Sequence, residues 1–349
     1  MISRLGYVKA LAVRGSGGMS GAEAMAERDG DFVRQAFVAR GSTDLLLFTA
    51  GGSVHSVPVK DLPRGTRSSR GKQISELVEL PAGDRIVSAI PVPEFSEERF
   101  LLFVTRAGQV KRTALSEYSN VRSGGIKAIG LSGDDEVLAV RPSAGTGDLL
   151  LATRHGLAIR FAEEEIRPMG RSAKGVRGIG VGKNDALVAA LAPRRDSEVL
   201  VVGAGGVGKR VPFTDLKRQG RAGTGLALMP DTDSAGEMVG AIAVHPGDLV
   251  MCELASGEVV PVAVDQLPVK ARRGASARIA ALSGLAGPVV ALHPLRATAD
   301  EGRPESEPAE ASVDDVGEPQ PEGMNPLVTE GAGQGGTSTS VDPEKAPQG

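Results

Sequence analysis

Tryptophan is absent from this 349-residue sequence, and aromatic residues make up only 3% of it. A hydrophobic core must therefore come from Val, Leu, Ile and Ala, within an apolar share of 41%. A single cysteine, Cys252, excludes a disulfide framework and a thiolate metal site. The four histidines, His55, His155, His245 and His293, are scattered, so no metal or other cofactor is expected. No apolar run reaches the length of a membrane span, and the stretch from Met1 to Gly6 has no signal-peptide core. A cytoplasmic protein with no membrane partner is the expectation. Long helices are also missing: Gly or Pro interrupts every stretch of helical period beyond about twelve residues. Ala22 to Arg28 reads as the one short helix.

What is abundant is glycine, with 47 residues, which favours many tight turns. An apolar run, a Gly-containing turn and a Val/basic strand recur along the chain. The clearest copies begin at Leu45-Leu46-Leu47-Phe48, Leu101-Leu102-Phe103-Val104, Leu149-Leu150-Leu151, Val199-Leu200-Val201-Val202 and Leu249-Val250-Met251-Cys252. A shortened copy is Leu5-Gly6-Tyr7-Val8-Lys9. The turn glycines fall at 6, 52, 108, 156, 206 and 257, spaced by 46 to 56 residues. A second marker keeps the same beat, an acidic or Gly-rich turn before a short apolar strand at Asp31, Asp84, Asp135, Asp185, Glu237 and Pro288. Six units of about fifty residues, each with several strands, predict an all-β, six-bladed β-propeller over residues 1–296. From Ala297 to Gly349 the sequence turns to Pro, Glu, Gly, Ser and Thr. That composition predicts a disordered acidic tail.

The formal net charge of −3 averages two unlike regions. The tail carries twelve acidic and two basic residues, leaving the first 296 residues with 38 Lys/Arg against 31 Asp/Glu. A basic body points to a polyanionic partner, and the acidic segment could compete with it. The charge is patterned, because each unit has a Gly/Ser-rich stretch studded with cations. These stretches hold Arg67, Arg70 and Lys72; Arg122 and Lys127; Arg171, Lys174 and Arg177; Arg218 and Arg221; and Arg272 and Arg273. Arg14, Lys111, Arg112, Arg160, Lys209 and Arg210 join them as candidate DNA-binding residues. Glycine lets backbone approach a phosphate, and Arg and Lys neutralise it. Loops recurring once per repeat would line one rim, around which a duplex could bend without base readout.

Gly65-Thr66-Arg67-Ser68-Ser69-Arg70-Gly71-Lys72-Gln73-Ile74, after Val59-Lys60-Asp61-Leu62-Pro63, resembles the first full blade of the C-terminal domain of bacterial gyrase or topoisomerase IV A subunits. Phe103-Val104-Thr105-Arg106-Ala107-Gly108-Gln109-Val110-Lys111-Arg112-Thr113 with Leu115-Ser116-Glu117-Tyr118 is similar to the next. Ile166-Arg167-Pro168-Met169-Gly170-Arg171 with Gly175-Val176-Arg177-Gly178-Ile179 is similar to a further stretch. The resemblance implies a non-catalytic pinwheel that binds and bends or wraps duplex DNA on the nucleoid. It would work beside the cleavage core and ATPase subunit of a type IIA topoisomerase. Where gyrases carry a Gln-, Arg- and Gly-rich box for chiral wrapping, this sequence reads Val13-Arg14-Gly15-Ser16-Gly17-Gly18-Met19-Ser20-Gly21. It keeps the glycines and one arginine, so a gyrase-like role and a topoisomerase IV-like role both stay open.

Rival patterns carry less weight. A propeller serving as a protein-interaction platform would use the same basic loops on an acidic partner. Gly203-Ala204-Gly205-Gly206-Val207-Gly208-Lys209 has phosphate-loop spacing, but Arg210 stands where the motif needs Ser or Thr. Asp231-Thr232-Asp233 has carboxylate spacing and reads as a turn. A type II topoisomerase cleaves through a tyrosine, and neither Tyr7 nor Tyr118 has an arginine neighbour or a base beside it in sequence.

Overall fold

The computed structural model describes residues 1–12, 31–66, 68–121, 124–230 and 235–294. Arg14, Arg67, Arg122, the expected helix at 22–28, the box at 13–21, the Asp231/Asp233 pair and the acidic tail all lie outside these residues.

Each apolar run forms the first strand of a hairpin, and consecutive residues serve opposite faces. In Asp44–Thr49, Leu45 and Leu47 pack towards the preceding repeat, while Leu46 and Phe48 pack towards the following one. Leu101 and Phe103 likewise face backwards, and Leu102 and Val104 forwards. A sheet buried on both faces needs an unbroken apolar strand, which is why these runs do not alternate with polar residues. Five apolar clusters of this kind fill the five interfaces between successive sheets. The scarce aromatics concentrate in one of them, where Phe48 meets Phe103 at 5.5 Å and Tyr118 at 5.9 Å, both edge to face.

The hairpin turns are alike. Gly52, Gly108, Gly156 and Gly206 have φ between +71° and +84°, and each donates its N–H to the carbonyl three residues back. This is a turn closed by a residue in the left-handed region, where glycine has no Cβ penalty. A side-chain clip reinforces it, for Thr49 Oγ1 accepts from Ser53 N and Thr105 Oγ1 from Gln109 N, each at 3.1 Å. The recurring acidic marker has a job here as well. Asp84 accepts from Gly51 N at 2.9 Å, Asp135 from Ala107 N at 2.9 Å and Asp185 from His155 N at 3.1 Å.

Six antiparallel sheets result. In the third, the hairpin Phe100–Thr105 and Gln109–Ala114 is flanked inside by Val137–Ser143 and outside by Val176–Arg177. That outermost strand belongs to the next repeat. The same exchange supplies Lys72–Gln73, Ile126–Lys127, Leu226–Ala227 and Ala277–Arg278 to the first, second, fourth and fifth sheets. Among the described residues the sixth sheet has three strands. The inner strands pack on one another in sequence. The first and sixth sheets also meet: Arg4 pairs with Glu253 at 2.6 Å, and Phe32 lies edge to face on His293. The described residues thus form a closed ring of six blades.

Candidate nucleic-acid interface

After its hairpin and a 3₁₀ turn, each repeat from the second to the sixth sends a loop across to the preceding blade. The loop runs along the open edge of that blade's outer strand and ends in the two-residue strand just described. Glycine makes the close approach possible. Gly175 has φ +88°, and a Cβ there would sit 2.6 Å from Val110 O. These are the Gly-rich basic stretches of the sequence, and they form the outer edge of blades 1 to 5.

Arg70, Lys72, Lys127, Lys174, Arg177, Arg218 and Arg273 are exposed on that edge. Arg70 lies over the Tyr7 ring at 4.1 Å, so one cation of the rim is braced on an aromatic face. Arg218 pairs with Asp148 yet stays 55% exposed. Three more are half-buried and tie loop to loop. Arg171 donates to Glu117 O at 3.3 Å, Arg221 to Arg177 O at 2.9 Å, and Arg272 to Ala227 O.

Five expected DNA contacts are instead internal. Lys111 is fully buried, and its Nζ donates to Ala128 O and Arg171 O, both at 2.6 Å. Burial first, and then the Arg171 charge, push its pKa down to about 7. Lys209 is equally buried and donates to Arg272 O at 2.7 Å and to Gly274 O. Lys9, outside the expected contacts, does the same for Thr66 O and Ser69 O. Each lysine thus serves at least one carbonyl of a loop arriving from the next repeat. Arg112 donates to Gly145 O at 2.7 Å and stacks on Phe100. Arg160 is held by Asp148, Phe213 O and Leu216 O. Arg210 is held by Leu267 O and Glu198. The physical reason is common to all five: they occupy the outer hairpin strand, which the incoming loop covers.

The edge also carries exposed cations outside the expected set, Arg278 among them. Arg278 is exposed and pairs with Val207 as Arg177 pairs with Gln109 and Lys127 with Ser53. Its spacing from the Gly257 turn was the available signal. The phosphate-loop lookalike is a hairpin turn. Gly205 N is bonded to Ala235 O, and Lys209 is committed to the neighbouring loop. Tyr118 is a core residue, its hydroxyl pushed upward in pKa by burial and bonded to Ala128 O. A shallow depression of about 600 Å³ on the rim is lined by Glu164, Glu165, Arg167, Met169, Val176 and Arg221. Two of its residues are acidic and two basic.

Fold and rim together define a strand-exchanged six-bladed β-propeller with cationic loops along its outer edge. The profile of the family described as DNA gyrase C-terminal domain, beta-propeller, matches residues 43–93, 99–144, 147–194 and 197–245. The chain belongs to this family. It is 34% identical over 278 residues to the DNA gyrase A subunit of Salmonella typhimurium, covering 78% of this chain and 31% of that one. To the DNA gyrase A subunit of Mycobacterium leprae it is 32% identical over 287 residues, covering 80% and 22%. The chain thus spans between about a fifth and two fifths of the length of the gyrase proteins it matches. Among solved structures, the C-terminal domain of DNA topoisomerase IV superposes with a TM-score of 0.76 at 26% identity, covering 85% of this chain and 92% of that one. The DNA gyrase A C-terminal domain superposes with a TM-score of 0.63 at 19% identity, covering 84% and 98%, a likeness of fold.

Proposed function

We propose that this chain binds duplex DNA along its outer edge without reading base sequence, and bends it there as the accessory module of a type IIA topoisomerase. The observation that carries this is the repetition of exposed cations at one structural position, the loop covering the outer strand, on blades 1 to 5. Arg70, Lys72, Lys127, Lys174, Arg177, Arg218, Arg273 and Arg278 are the contacts assigned. Cations spaced around a curved edge meet the phosphates of a duplex only if it bends. Bending a short site by 40–90° costs on the order of 1–6 kcal/mol, which counterion release at each neutralised phosphate offsets. The cleavage core and the ATPase subunit of the enzyme are the partners on this reading, and the nucleoid is the place of work.

Salt titration of binding to a short duplex tests it. With about six to eight phosphates neutralised, log K should fall against log salt with a slope of roughly −5 to −7, alike for unrelated sequences. A bend reported by end-to-end energy transfer should accompany binding. Salt-insensitive affinity, or none at low salt, would sink the reading and leave an acidic protein partner as the ligand. The handedness of DNA bound in a topology assay then separates gyrase-like wrapping from a plain bend.

A further inference from the structure

Each exchanged loop has two legs, of which the second ends in the two-residue strand. On blades 1, 3, 4 and 5 the first leg docks on the same edge of the same outer strand through a single parallel bridge. The bridges are Ala10 with Arg64, Arg112 with Pro168, Arg160 with Arg218, and Arg210 with Val269. Backbone bonds fix them, among them Gly65 N to Ala10 O at 3.0 Å, Met169 N to Arg112 O at 2.9 Å and Lys270 N to Arg210 O at 2.8 Å. At or beside every bridge stands an exposed cation: Arg64 on blade 1, Arg167 on blade 3, Lys217 with Arg218 on blade 4, and Lys270 on blade 5.

The separation of the two rows follows from the register. On blade 3 the second leg pairs Arg177 with Gln109, and the first leg bridges Arg112. On blade 5 the partners are Val207 and Arg210, and on blade 1 Lys72 pairs with Val8 while Arg64 bridges Ala10. Two to three residues along a strand are about 7–10 Å. That lies between the widths of the minor and major grooves, about 6 and 12 Å. Flexible Arg and Lys arms rooted on both legs therefore reach phosphates on either side of one groove. Blades 1, 3 and 5 carry both rows, with Lys72, Arg177 and Arg278 opposite Arg64, Arg167 and Lys270. On blade 2 the second leg brings Lys127, and on blade 4 Ala227 holds the second-leg position.

We propose that the two legs act as a paired clamp gripping both strands of a duplex, and that Arg64, Arg167, Lys217 and Lys270 set a preference for double- over single-stranded nucleic acid. This rests on the DNA-binding reading above. A lone backbone needs one row of cations, whereas a second row at groove width is useful only to a ligand with two backbones.

The test compares full chains on a short duplex and on one of its strands, by fluorescence anisotropy across a salt series. The first variant carries R64Q, R167Q, K217Q and K270Q; the second carries K72Q, K127Q, R177Q and R278Q. All eight positions are exposed, so thermal unfolding should match the parent. The first variant should flatten the duplex salt slope by about 3 to 4 and leave single-strand affinity within about two-fold. The second variant should weaken both ligands. An unchanged duplex slope in the first variant, or equal losses on duplex and single strand, would overturn the clamp while leaving DNA binding intact. Failure of the parent chain to bind duplex at low salt would overturn both.

Discussion

Arg4 of the first blade and Glu253 of the sixth, 249 residues apart in sequence, meet at 2.6 Å and close the ring. Glu253 also lies 3.0 Å from His293 Nε2. Burial alone would raise the Glu253 pKa, but the bond to His293 and the pairing with Arg4 outweigh it and hold the carboxylate below its ordinary value. Elsewhere successive blades share an apolar cluster and an exchanged strand. Among the described residues, this seam rests on an ion pair and on Phe32 against His293.

Breaking that pair should therefore loosen the ring. Arg4→Glu or Glu253→Arg alone should cost about 1–3 kcal/mol in denaturant unfolding, since each strands a partly buried charge. The double exchange R4E/E253R should recover much of the loss. Additive effects would show that the two residues are not coupled.

The basic residues should separate into two classes. Lys111→Met should destabilise the fold by about 1–3 kcal/mol by leaving two buried carbonyls without their donor. The salt slope of DNA binding should not move. Arg177→Gln should change stability by less than about 0.5 kcal/mol and flatten the slope by about 1. Urea unfolding and a salt titration on the same preparations decide this.

Lys111 also predicts a pH dependence. Its pKa falls from the ordinary 10.5 to about 7 in the folded chain. Below pH 7 both states hold the proton and the burial penalty is fully present. Between pH 7 and 10.5 the folded state releases its proton first, so this residue's contribution to stability rises with pH through that window. The midpoint of urea unfolding, followed across that range, should rise more in the parent than in K111M.

Two turn glycines should differ although their backbones match. Gly108 has φ +84° and Gly257 +85°. A Cβ at Gly108 would meet Val181 Cγ2 at 2.8 Å and Ile179 O at 2.9 Å, whereas nothing lies within 4 Å at Gly257. Gly257→Ala should cost about 1 kcal/mol for the left-handed backbone alone, and Gly108→Ala about 2–4 kcal/mol with the clash added. Equal melting temperatures for the two variants would contradict the close approach of the incoming repeat.

Cys252 offers a last check. It is 1% exposed, and burial pushes its thiol up to about 12. The native chain should resist a maleimide at neutral pH and react only as it unfolds.

The hairpins could be read from the sequence because their signals are local. Leu45 to Phe48 is an uninterrupted apolar run, and Gly52 stands where a left-handed turn must be. The repeated Asp84, Asp135 and Asp185 were visible too, though their task of holding a turn N–H was not. The exchanged strands left no such trace, since two residues such as Ile126–Lys127 carry no periodicity. Without them, Lys111 and Lys127 look equivalent: both are basic and both lie near glycines. One is sealed in the fold and the other stands on the rim.

Sequence alone determined the all-β repeat, its turns, its two-sided apolar strands and the basic character of the loops, since each follows from neighbours a few residues away. Only the tertiary structure decided which cations meet solvent, that Arg278 belongs with them, and that Arg4 finds Glu253. Those outcomes depend on segments some fifty to two hundred and fifty residues distant, brought together when each loop covers the preceding blade. Burial by a distant segment turns a lysine that would face solvent into a carbonyl partner, and local composition carries no record of that burial.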